Sequence, residues 1–290
     1  MEEKNEKQPK TEAGWRARLK RNWSKGVEEA EYVSVLLPNG RKCQGGNQSW
    51  WLSIVKQEKA EGQNLSRYQK CRKDENYRIA SLGCGVIAMT NLELYLEHRG
   101  IAGNEWMPAD DGKSCIKALP KEDYIKAVRS KWKGTYRIGR GYVNYVTGLY
   151  PWKMEAGLRE CLIRNHCDRT KVQWAPFAGK SKNRQKHLVW DTICDMLNAD
   201  YPVVCSYHTF SPKEHALILY HELGLALRGV KAEGRYDKIS SHYMTIIGCY
   251  VSETGCHVLQ IESWGNLYYV RYDEYAEKLN YFTNILRIYE

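Results

Sequence analysis

A thiol becomes a useful nucleophile when its surroundings favour the thiolate and a base stands within reach. Among the ten cysteines of this chain, Cys84 has the context for that chemistry. Glycines 83 and 85 flank it, and an apolar run from Val86 to His98 follows directly. If that run is a helix, its first N–H groups and the positive end of its dipole lie beside the sulfur. They lower the thiol pKa and can hold an oxyanion during acyl transfer. Gly83 and Gly85 leave room for a substrate backbone to approach. Of the eight histidines, His242 opens the strand-like run His242-Tyr-Met-Thr-Ile-Ile-Gly248, which puts its imidazole at the mouth of an apolar core. The next strand ends in Ile261-Glu-Ser-Trp-Gly265. A hairpin between the two is expected to bring the Glu262 carboxylate to His242, where it would fix the tautomer and stabilise the imidazolium.

Other reactive residues fit the pattern less well. Cys161 and Cys167 invite a zinc reading, but their spacing matches no common structural finger, so neither metal nor cofactor is expected. Cys249 and Cys256 flank the hairpin after His242 and are expected to be cross-strand neighbours in the reduced state. Glu214-His215 and His221-Glu222 form a second acid–base grouping, and Asp110-Asp-Gly-Lys113 reads as a surface turn.

Several elements are expected to position these residues. Tyr32 to Leu37 reads as a strand running into the turn Pro38-Asn-Gly-Arg41, because Asn-Gly tolerates positive φ. Helices are expected over 86–98, from Pro120, over 151–165 and over 187–198. Proline suits the first helical position because it brings no unsatisfied N–H. Strands are expected over 202–207, 216–220, 242–250, 256–263, 267–271 and 284–289, with a short helix over 273–279. Helices first and antiparallel strands afterwards predict an α+β fold. A single domain over 31–290 follows, with a long insertion between Cys84 and His242, preceded by a charged extension over 1–30.

Composition sets outer limits. The chain carries 44 Lys+Arg against 34 Asp+Glu, a net charge of +10, yet 43% of its residues are hydrophobic. That is a globular balance. No apolar run approaches the roughly 18–20 residues that span a bilayer. The charged start lacks the apolar core of a secretory signal, so reduced thiols and a cytoplasmic setting are expected. The positive charge gathers in the first 26 residues and in the loop 179–187, without basic–aromatic interleaving. No membrane partner is expected, and nucleic acid is disfavoured.

Four short motifs, Gly83-Cys-Gly-Val-Ile-Ala88, Tyr201-Pro-Val-Val204, His242-Tyr-Met-Thr-Ile-Ile-Gly248 and Glu262-Ser-Trp-Gly265, occur in this order. In that order and spacing the chain, over roughly 70–290, resembles the papain-like cysteine peptidases. Within them it is most similar to the bacteriocin-processing, double-glycine leader peptidase branch. The resemblance implies a papain-like fold with Cys84 as nucleophile, His242 as base and acid, and Glu262 where relatives carry Asn or Asp. It implies that Trp264 shields the His–acid hydrogen bond from water. Those families place an oxyanion-hole Gln six residues before the nucleophile, but Arg78 stands there. Asn76 and Gln69 are the nearby amides that could replace it.

The expected function is thiol-dependent hydrolysis of a peptide or amide bond, with a peptide or protein as partner. Two alternatives remain open: an acyltransferase using an amine acceptor, and a catalytically silent peptide-binding module.

Overall fold

Apolar residues in the run 84–98 surround the whole helical wheel, and such a helix must be enclosed on all sides. The computed structural model describes residues 33–52, 66–98, 118–134, 148–164, 167, 170–176, 181–199, 201–252 and 254–289. The expected extension 1–30 and the turn 110–113 lie outside the described residues. The first elements are β1 (Ser34–Leu36), β2 (Lys42–Gln44), α1 (Arg67–Lys73), α2 (Glu75–Leu82) and α3 (Cys84–His98). They are followed by β3 (Leu119–Pro120), α4 (Lys121–Lys133), α5 (Pro151–Arg164), β4 (Lys171–Trp174), α6 (Lys182–Asn198) and β5 (Val203–His208). Next come α7 (Pro212–His215), β6 (Leu217–Tyr220), α8 (Leu223–Arg228) and β7 (Tyr236–Ile239). The chain closes through β8 (Ser241–Val251), β9 (His257–Ser263), β10 (Asn266–Arg271), α9 (Tyr272–Ala276) and β11 (Asn284–Tyr289).

The fold is α+β, with a large antiparallel sheet ordered β4-β11-β5-β8-β9-β10-β6-β7. Helix α3 is buried from Gly85 to Glu97 and packs against β8 and β5. Four strands of the eight, β4 to β7, come from the interval between Cys84 and His242. That interval builds the sheet and is not an appendage to it.

A smaller sheet, β2-β1-β3, is hydrogen-bonded to the hairpin loop of the large one through Gln44 N–H and Gly265 C=O. Its β1–β2 turn is the expected one, with Gly40 at φ +78°. Within the segment 179–187, expected to be a loop, residues 182–187 are helical. Ser181 accepts a hydrogen bond from Arg184 N–H, and this cap starts α6 at Lys182.

Strand β8 contains one residue more than its partner. Thr245 pairs with Glu262 and Gly248 with Gln260, so Ile247 is the extra residue of a β-bulge. At the far end, β9 and β10 join through the two-residue turn Trp264-Gly265, both at positive φ (49° and 77°). Such a turn matches the right-handed twist of paired strands, but it holds a bulky tryptophan in a conformation that side chains usually avoid.

Candidate active site

Cys84 stands at an elbow. Helices α2 and α3 follow each other with only Gly83 between them and are bent by 80°. Backbone bonding continues through the corner, with Gly83 N–H donating to Ile79 and Ile87 N–H donating to Gly83. A Cβ on Gly83 would lie 2.3 Å from the Ile79 carbonyl oxygen, and one on Gly85 3.0 Å from Leu149. Both glycines are therefore needed for packing against the protein itself, which corrects the expectation that they clear space for substrate. The backbone N–H groups of Tyr243, Gly85 and Cys84 itself favour the thiolate. Burial is the larger influence and holds the thiol above its ordinary value, while those N–H groups pull it back down.

Cys84 lines a small cavity together with Gln48, Asn91, His242, Glu262, Ser263 and Trp264. The three expected catalytic residues thus share one cavity. His242 is buried, and burial alone pushes its imidazole down to about 3. Its Nε2 lies 2.7 Å from Ser263 Oγ, and its ring lies 4.5 Å from that of Trp264. Trp264 does shield a histidine hydrogen bond, but the partner is Ser263.

The expected His242–Glu262 bond is absent. Successive side chains on a strand point to opposite faces. Glu262 shares its face with Thr245, its register partner, and His242 lies an odd number of residues from Thr245. Glu262 instead accepts from Asn91 Nδ2 of α3 at 2.7 Å, and Asn91 Oδ1 accepts from the Tyr124 hydroxyl at 2.6 Å. The other carboxyl oxygen, Oε1, is buried without a hydrogen bond. Gly45, at φ +63°, lies over the carboxyl group; a Cβ there would be 2.3 Å from Oε1. Burial pushes the Glu262 carboxyl up to about 8, and the Asn91 bond opposes this only in part. At neutral pH the group is therefore mostly a neutral acid.

The amide residues are also placed differently from expectation. Asn76 Oδ1 accepts from Arg129 on α4, and Gln69 closes a capping box with Ser66 at the exposed start of α1. Neither lines the cavity. Gln48 does, from the loop after β2. Its Oε1 accepts from Trp264 Nε1 at 3.2 Å, and its Nε2 donates to the Ala80 and Ile79 carbonyls of α2. Sequence reasoning missed Gln48 because it searched the residues just before Cys84. The signal available was Gly45-Gly-Asn-Gln48, a polar turn ahead of Trp50-Trp51.

The remaining groups lie elsewhere. His221 meets Asp237 at 3.1 Å, and Glu222 pairs with Arg235, both on the surface. His215 and Glu214 are also largely exposed, 3.7 Å apart. Cys249 does not face Cys256: its register partner is Leu259. Among the described residues, no three His, Cys, Asp or Glu side chains cluster as metal ligands. Among them too, no single helix is long and apolar enough to cross a membrane.

No protein-family model matches the chain, and no curated protein matches it in sequence.

Proposed function

We propose that this chain hydrolyses a peptide or amide bond through a Cys84 thioester, on a papain-like arrangement of helix and sheet. The observation that carries the reading is the position of Cys84 at the start of α3, in a cavity shared with His242 and Ser263. Burial keeps the Cys84 thiol and the His242 imidazole uncharged at rest. In the tautomer in which Nε2–H donates to Ser263 Oγ, the Nδ1 lone pair is left to take a proton.

In this scheme Cys84 attacks the carbonyl carbon as its proton passes to His242. The backbone N–H groups at the start of α3 hold the oxyanion, while Gln48 ties the loop after β2 to α2 and to Trp264. His242 then protonates the leaving nitrogen, and the C–N bond breaks. Water, deprotonated by His242, releases the acyl group and restores the thiol. Ser263 orients the ring in the place usually given to an acid or amide.

Two measurements test this. Iodoacetamide at neutral pH should label Cys84, and His242→Ala should reduce that labelling at least tenfold while leaving Cys194 labelling unchanged. Peptide-library cleavage should vanish in Cys84→Ala. Labelling indifferent to His242, together with no cleavage, would support the silent peptide-binding module, which the enclosed and uncharged thiol–imidazole pair also suits. Amine capture of the acyl group would indicate an acyltransferase.

A further inference from the structure

Strand β8 carries a second thiol, on the side of the sheet away from α3. Cys249 Sγ lies 3.6 Å from Cys194 Sγ of α6, so the two sulfurs are in direct contact. Cys249 is 4% exposed, whereas Cys194 is only partly buried and lies between the exposed Asp191 and Asp195. Both are free thiols. One turn before Cys194, Trp190 rests edge-on against His257 and tilts over Tyr272, with ring centroids 4.4 and 5.0 Å away. These contacts fix this face of α6 to the sheet, so the two sulfurs are held together by packing. The contact raises the Cys249 thiol, as burial does, and lowers that of Cys194.

We propose that Cys194 and Cys249 form a reversible dithiol–disulfide site that is closed by hydrogen peroxide. The more accessible Cys194 attacks one peroxide oxygen, giving a sulfenic acid and water. The Cys249 sulfur then attacks the Cys194 sulfur and displaces its hydroxyl as a second water. Two thiols and one peroxide thus become one disulfide and two waters. The sulfurs must approach by about 1.5 Å to reach the ~2.05 Å bond length. Attack of an external dithiol on Cys194 or Cys249 reverses the step.

The test is independent of hydrolytic activity. The full chain, wild type and Cys84→Ala, is treated with hydrogen peroxide, blocked with iodoacetamide and digested without reductant. The expected result is a cross-linked peptide pair joining Cys194 to Cys249, lighter by two hydrogens than the separate peptides. Dithiothreitol should abolish it, and it should be lost in Cys194→Ser and, separately, in Cys249→Ala. Cys194 recovered as a sulfinate or a dimedone adduct while Cys249 remains an alkylatable thiol would overturn the proposal. So would disulfides of either residue with other cysteines.

Discussion

Glu262→Gln tests whether the acid beside the candidate nucleophile is a buried neutral group. Each pKa unit between folded and unfolded states carries about 1.4 kcal/mol. The rise from 4.5 to about 8 therefore costs the folded protein roughly 5 kcal/mol once the pH passes 8. Between pH 4.5 and 8 the folded state keeps a proton that the unfolded chain has lost, so stability falls as pH rises. His242 acts in the opposite sense. Its folded value of about 3 lies below the ordinary 6.5, so its contribution improves as pH rises to 6.5 and is then constant. The two oppose each other below pH 6.5, which leaves pH 6.5–8 as the clean window. There the wild type should lose about 2 kcal/mol. Glutamine is neutral throughout, and its amide oxygen still accepts from Asn91, so Glu262→Gln should show no such decline. Urea unfolding at pH 6.5, 7.2 and 8, followed by tryptophan fluorescence, measures the difference. Parallel stabilities of the two proteins across that window would refute the reasoning. The same variant should keep hydrolytic activity within about tenfold, because Ser263 and not Glu262 holds His242.

Three further outcomes follow from the geometry. Ser263→Ala removes the partner of His242 Nε2 and should lower kcat/KM by about ten- to a hundredfold, as the loss of one hydrogen bond to a catalytic base would. Gln48→Ala removes the donor to the Ala80 and Ile79 carbonyls and the acceptor of Trp264 Nε1, and should destabilise by about 1–3 kcal/mol in urea unfolding, whereas Asn76→Ala and Gln69→Ala should change hydrolytic activity by less than about twofold. Gly45→Ala should destabilise by at least ~3 kcal/mol in urea unfolding, since positive φ and the close approach to Glu262 Oε1 act together.

Local patterns carried much of this fold. The apolar run after Cys84, the proline starts at 120 and 151 and the alternating strands of the last third appear within a few residues of expectation. Cys84 and His242 stood out because each sits at the boundary of such an element. What local pattern could not supply was the direction of side chains across paired strands. Glu262 looked like the partner of His242 because the hairpin brings them near. The register decides that Ser263 points to the histidine and Glu262 to Asn91 on α3. Gln48 was hidden for a related reason: it reaches the cleft through the small sheet docked on Gly265, not through proximity in sequence. Cys249 was paired with Cys256 by nearness in the hairpin, whereas the sulfur beside it belongs to a helix 55 residues earlier.

The additional residue at Ile247 makes β8 a strand with two phases. Up to Thr245 the odd-numbered side chains look toward α3; beyond the bulge Gly248 takes over that direction, and Cys249 turns toward α6. Deleting Ile247 would rotate the distal half alone, carrying Cys249 away from Cys194 while leaving the His242 end in its own register. The orientations of the His242 and Cys249 ends are thereby untied from each other, and substitutions can accumulate in one half while the other stays in step.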